Sequence, residues 1–291
     1  MDVGATPPTW KWGFFLLLAA RLANPYFPAP MRAELKTAID AARRAGELTL
    51  EYFGGKYQVE YKERRDPVTS ADLAANACLK EQLLGAFPDS GWFSEETADS
   101  PQRLSAKRLW IVDPIDGTRE FVEGIPEYAV SVALVEEGEP VVGVIYNPPA
   151  DQLFAAVKGG GTFLNGKRVF CSEVSSLGQA TLIVSRSETK RGEIEPLRPH
   201  LKEVKPVGSV AYKLAAVAAG LGGDFNVSVQ PKSEWDVCAG DLLVREAGGQ
   251  MLNLEGQVRQ YNQPDPLISG GLVAGNPHLV RVMLALLGSL R

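Results

Sequence analysis

Histidine is nearly absent from the 291 residues: His200 and His278 are the only two, which excludes a His-rich zinc site. Cysteine is also scarce. Cys78, Cys171 and Cys238 lie far apart and are odd in number, so no disulfide framework is expected and a reducing, cytoplasmic compartment is the reading. No basic block is present, and 30 Lys plus Arg against 35 Asp plus Glu give a formal charge of −5, which disfavours a nucleic-acid polymer as partner. Long hydrophobic runs are missing too: Trp12–Ala20 falls well short of the ~20 residues needed to cross a bilayer, so no stable membrane insertion is expected. What remains is ordinary globular composition, 45% hydrophobic and 22% charged, in a chain long enough for one large domain or two packed ones. Any metal must be held by oxygen.

Lys11, the apolar run Trp12–Ala20 and the Pro-rich stretch to Pro30 read as an appended or misassigned leader over residues 1–30. An export signal and a membrane-surface anchor are the alternatives. From Arg32 to Phe53, Leu35, Ala38, Ile39, Ala42 and Leu50 recur at helical spacing until Gly54-Gly55 ends the pattern. A second helix is expected from Ser70, as N-cap, through Leu84, with Asp72 in its first turn.

After Gly91 come β-rich runs at Arg108–Val112, Ala129–Glu136, Val141–Tyr146, Leu153–Val157 and Gly161–Leu164, with hairpin turns at Glu137-Gly138 and Asn165-Gly166. They predict a largely antiparallel sheet carrying the first two helices on one face. Beyond about Ser175 strand and helix alternate: Thr181–Ser185, a helix over Val210–Ala219, Phe225–Val229, a helix over Asp236–Ala247, Met251–Leu254 and a last helix from Pro277. The expected division is an N-terminal α+β domain over 31–175, carrying a metal site, and a C-terminal α/β domain over 176–291 that completes it.

The chemistry concentrates in Trp110-Ile-Val-Asp-Pro-Ile-Asp-Gly-Thr-Arg-Glu-Phe121. An apolar strand delivers Asp113, Pro114 stiffens the exit, and Asp116 returns three residues later, so two carboxylates can converge on a hard cation. Gly117-Thr118 then opens a turn whose backbone N–H groups favour an anion. Capping acids at a strand end are the bland reading of the same residues. Three further acidic elements accompany it: Phe93-Ser-Glu-Glu96, Pro67-Val-Thr-Ser-Ala-Asp72, and Glu234-Trp-Asp236 opening a helix.

WIVDPIDGTREF, the upstream FSEE and PVTSAD, and the downstream EWDVCAGDLLVREAGG together resemble the inositol monophosphatase superfamily of metal-dependent phosphomonoesterases, from Arg32 to about Leu287. The resemblance implies a layered α-β-α-β-α sandwich of the inositol monophosphatase and fructose-1,6-bisphosphatase type. It implies two or three Mg²⁺ ions held by Glu95, Asp113, the carbonyl of Ile115, Asp116 and Asp236. It also implies a water oriented by Thr118 and Asp72, phosphate on the N–H groups of Gly117 and Thr118, inhibition by Li⁺, and a homodimer. Lys62 and Glu96 would stand behind the ligands, and Gly208 and Ser209 on the substrate side.

The shared core does not choose the alcohol. Inositol-directed members usually carry an acid seven positions before the WD aspartate, where this chain has Val229. Arg119-Glu120-Phe121 resembles the Lys-Glu-Phe of 3′(2′),5′-bisphosphate nucleotidases, and Lys213 and Lys232 offer cations for a second phosphate. The expectation is therefore a nucleotidase converting 3′-phosphoadenosine 5′-phosphate to AMP and phosphate. Inositol-1-monophosphatase follows, then fructose-1,6-bisphosphatase or histidinol-phosphatase. A non-catalytic module with the same fold is the alternative of another class, and the full set of ligands argues against it.

Overall fold

A computed structural model describes residues 32–55, 57–61 and 67–290; the leader and Lys62 lie outside the described residues. Helix α1 (Arg32–Tyr52) follows the apolar spacing read above, and α2 (Ser70–Ala86) starts one residue earlier than expected from its cap. Thr69, not Ser70, is the N-cap: its Oγ1 accepts from the N–H groups of Ala71 and Asp72, and Asp72 Oδ2 accepts in return from Thr69 N at 2.7 Å. This reciprocal arrangement satisfies donors that a helix start leaves orphaned. It also fixes the rotamer of Asp72.

Seven strands form the first sheet in the order β3 (Gly91–Ser94), β4 (Arg108–Asp116), β5 (Ala129–Glu136), β6 (Glu139–Asn147), β7 (Gln152–Val157), β8 (Gly161–Leu164), β9 (Lys167–Val169). All neighbours are antiparallel except β3, which pairs parallel with β4. Both expected hairpin turns appear, with Glu137, Gly138, Asn165 and Gly166 all at positive φ as such a turn requires. Ahead of α2, β1 (Val59–Tyr61) and β2 (Pro67–Thr69) form a small antiparallel pair.

The five-stranded second sheet has the order β11-β10-β12-β16-β14, made of β10 (Thr181–Val184), β11 (Glu203–Pro206), β12 (Phe225–Ser228), β14 (Gln250–Asn253) and β16 (Leu272–Gly275). Strand β10 is parallel to both its neighbours, and β16 is antiparallel to its own. A two-stranded ribbon joins β13 (Lys232–Ser233) to β15 (Leu267–Ile268).

Strand alternation assigns the layers. On β4, Trp110 and Val112 pack with Leu35, Ile39 and Leu79 of α1 and α2, whereas Ile111 packs with Leu214 of α5 (Val210–Ala218) and Leu242 of α6 (Glu234–Glu246). The same middle cluster takes in Ile183 and Ala274 of the second sheet, and Leu279 and Met283 of α7 (Pro277–Ser289) cover that sheet's outer face. The result is an α-β-α-β-α stack. Each fully buried Leu or Ile contributes about 1.5–3 kcal/mol, so these two internal interfaces hold rigid the strand and helix ends that meet at the site. Gly143 and Gly240 allow the close approach: a Cβ on either would sit 2.9 Å from the carbonyl of Ala239 or 2.5 Å from Leu214 Cβ, respectively. Cys78, Cys171 and Cys238 are free thiols.

Candidate active site

Strand β4 does not stop at Val112. Its pairing continues to Asp116, with Asp113 opposite Ser131 and Asp116 opposite Ala129, so three steps on β4 match two on β5. In a regular strand residues three apart point to opposite faces. The extra residue corrects that parity and turns both aspartates toward the face where α6 lies, as bulges beside functional sites do. Ser131 confirms the face, donating to the carbonyl of Trp235 at 3.2 Å.

Asp113, buried, and Asp236, half-buried, meet Glu95 just past the end of β3, and one carboxylate oxygen from each of the three lies within 4.8 Å of the others. Asp113 Oδ1 accepts from Ile115 N at 3.0 Å, while its buried Oδ2 has no hydrogen-bond partner. Asp236 sits in the first turn of α6, which begins at Glu234 rather than at Asp236 itself; its Oδ2 accepts from Ser233 N at 2.9 Å. Asp116 borders the same cavity, one oxygen taking the hydroxyl of Ser209 and the N–H of Ala211 at the start of α5.

Burial, and then the charges of Glu95, Asp116, Asp236 and Glu96, push the Asp113 carboxyl well above its ordinary range. Burial, Asp116 and Glu95 do the same to Asp236, and burial raises Asp116 against the hydrogen bond from Ser209. Mutually repelling carboxylates with an orphaned buried oxygen are a donor set completed by a hard divalent cation. Beside them, Thr118 Oγ1 lies 3.2 Å from Asp72 Oδ1 and 3.0 Å from the carbonyl of Ile115. Gly117, at φ 98°, makes the turn into the short helix α3 (Thr118–Val122). A Cβ there would meet backbone of Glu127 and Tyr128 at 3.2–3.3 Å.

Glu95, Asp113, Ile115, Asp116, Gly117, Thr118 and Asp236 line one open cavity of about 680 Å³. A model of the inositol monophosphatase family matches residues 31–287. The chain belongs to that family. It is 35% identical over 260 residues to an inositol-1-monophosphatase of Rhizobium meliloti (strain 1021), covering 86% of this chain and 94% of the relative. Identity to a histidinol-phosphatase of Chlorobaculum parvum is 34% over 267 residues, covering 89% and 98%. Among solved structures it resembles the Thermotoga maritima IMPase with a TM-score of 0.79 at 30% identity, over 88% of this chain and 97% of that one. Members of the inositol monophosphatase family are metal-dependent phosphatases, and the acidic cluster supplies the oxygen donors for such a metal.

The substrate side departs from expectation in places. Lys213 borders the cavity but is 2% exposed, and its Nζ donates to the carbonyls of Ser209 at 2.7 Å and Val207 at 3.3 Å. Burial lowers its pKa to about 8. It therefore props the Val207–Ser209 loop instead of reaching a second phosphate. Ser209, at φ 55°, spends its hydroxyl on Asp116, and Gly208 forms bare wall, because a Cβ there would lie 2.4 Å from Glu120 Cγ. Lys232 lines the cavity; Glu96 is not part of its lining, and its charge adds to the rise of the Asp113 pKa.

The cavity also has a wall that the motifs leave out: Arg186, Ser187, Lys190 and Arg191, in and after the short helix α4 (Arg186–Lys190). They follow the carboxyl end of the parallel strand β10, where open α/β sheets place their ligands. The signal was legible as three cations within six residues after an apolar strand.

A linkage prediction follows from the raised carboxyls. Their folded pKa values exceed the unfolded ones, so their stabilising contribution is present at low pH and is lost as pH rises through the folded values. Divalent cation reverses that loss by binding the ionised cluster. The gain in Tm on adding metal is therefore expected to grow as pH rises through the raised values of these carboxyls, and a gain independent of pH would show that the cluster does not hold the ion. No helix among the described residues is long and apolar enough to cross a membrane.

Proposed function

We propose that this chain is a Mg²⁺-dependent phosphomonoesterase acting on a small polyol phosphate, with inositol 1-phosphate as the leading substrate. The observation that carries the reading is the Glu95, Asp113 and Asp236 cluster set beside the Thr118–Asp72 pair. Bound Mg²⁺ would supply Lewis acidity toward the phosphoryl oxygens and lower the pKa of an attacking water. Glu95, Asp113, Asp116, Asp236 and the Ile115 carbonyl are the donors for it. Thr118 orients the water through its hydroxyl, and Asp72, raised in pKa chiefly by burial, receives the proton relayed from it. The N–H groups of Gly117 and Thr118 take phosphoryl oxygens. In-line displacement then releases inorganic phosphate and the alcohol, without a covalent enzyme intermediate.

The inositol reading moves ahead of the nucleotidase because relatives bear that name and because Lys213 is spent inside the protein. A second reading, a substrate with an additional phosphate, is favoured by the Lys190, Arg191 and Lys232 rim and by Val229 in place of an acid. Phosphate release with Mg²⁺ from inositol 1-phosphate, histidinol phosphate and 3′-phosphoadenosine 5′-phosphate separates the readings by kcat/KM. Lys232→Met is expected to leave inositol 1-phosphate kinetics unchanged. If the bisphosphate is the substrate, that variant raises its KM about tenfold, as loss of one charge-assisted hydrogen bond would.

A further inference from the structure

Glu95 and Asp236 approach Asp113 from separate segments, and something has to fix their spacing. Arg103, in the 3₁₀ turn Pro101–Ser105, is only 4% exposed. Four hydrogen bonds hold its guanidinium. Nε and Nη2 hold the two oxygens of Asp99 at 2.6 and 3.0 Å, Nη1 donates to Asn262 Oδ1 at 2.9 Å, and Nη2 donates to the Gln263 carbonyl at 3.0 Å. Asn262 answers by donating its Nδ2 to the Arg103 carbonyl at 3.0 Å.

Both contacted segments lead to the acidic cluster. The guanidinium carbon lies 4.1 Å from the ring centroid of Phe93, two residues before Glu95, and Phe93 meets Trp235 edge-on at 5.1 Å, one residue before Asp236. The loop held by Arg103 is tied to the same helix start. Glu234, fully buried, accepts from the N–H groups of Asn262 at 2.8 Å and Gln263 at 3.2 Å and from Arg259 at 2.8 Å. A planar fork that meets a carboxylate, an amide, a carbonyl and a ring face at once has few other geometries open to it.

We propose that Arg103 is a positioning residue that clamps the Glu95 segment to the start of α6 and so sets the Glu95–Asp236 spacing for the metal. The proposal rests on the metal reading of that cluster. It requires metal affinity to fall when the clamp is cut, while turnover of the loaded enzyme survives, because no reacting group is touched.

The test is direct Mn²⁺ binding, read from the electron paramagnetic resonance of the free ion, with Tm in chelator and kcat at saturating metal measured alongside. Arg103→Lys keeps the charge and loses the fork. Asn262→Gly tolerates the φ of 61° and removes only the bridging amide, so it decides the matter if the lysine variant fails to fold. Removing such supporting partners commonly costs about 10–100-fold in metal affinity. The dissociation constant is expected to rise at least tenfold in Arg103→Lys and by a smaller factor in Asn262→Gly, with kcat within about twofold of wild type. Unchanged affinity in a folded variant overturns the clamp while leaving the metal reading intact. Absence of Mn²⁺ binding by the wild-type protein overturns the metal reading and the clamp with it.

Discussion

Asp113→Asn is expected to lower kcat/KM at least about 100-fold, or ~2.7 kcal/mol of barrier, and at the same time to raise the Tm of the metal-free protein. The two effects share one cause. Asp113 is 1% exposed, with one oxygen used by Ile115 N and the other buried without a partner among acids that repel it. An amide oxygen can keep the bond from Ile115, so the turn survives, but an anionic donor for the cation is gone. Without metal, removing a buried like charge relieves repulsion and desolvation, and the fold gains. Functional acids commonly oppose stability in this way. Thermal melts in chelator together with phosphate release at saturating Mg²⁺ check both halves. A variant that lost stability and kept activity would return Asp113 to the role of a strand-end cap.

Much of the fold is legible in the amino-acid sequence, for a physical reason. Local signals act within a few residues: the apolar spacing of α1, the turns at Glu137-Gly138 and Asn165-Gly166, and the DPIDGT cluster each carry their own geometry. What the local signals leave out is decided by distant segments. Strand β3 has only four residues and draws its ladder from β4. The apolar run of β4 ends at Val112 and Pro114 stiffens its exit, yet pairing to β5 resumes at Asp116 across the bulge. Lys213 carries an ordinary charged letter, and only the carbonyls of Val207 and Ser209 folded over it reveal an internal prop. The Arg103 fork is likewise silent in sequence, since its partner Asn262 lies 159 residues away.

Thr118→Ala and Asp72→Asn are each expected to reduce kcat by about 100-fold while leaving metal affinity near wild type, within the range removal of a positioned acid–base group commonly costs. Neither side chain belongs to the Glu95, Asp113 and Asp236 cluster, and both fold roles can be kept. Asparagine can offer its carbonyl oxygen to Thr69, whose N–H and hydroxyl reach Asp72 Oδ2 at 2.7 and 2.6 Å, and turn its NH₂ toward Thr118. That choice inverts the hydrogen bond at Thr118 and removes the proton acceptor. Because the hydroxyl and the carboxylate act on one water as a unit, the double variant should be hardly slower than either single one. Additive losses, about 10⁴-fold together, would mean that the two groups serve separate steps. A parallel rise in the Mn²⁺ dissociation constant would instead place Thr118 among the groups that support the metal. The ratio of kcat loss to affinity loss decides between the two assignments, since only a group confined to the chemical step lowers kcat alone.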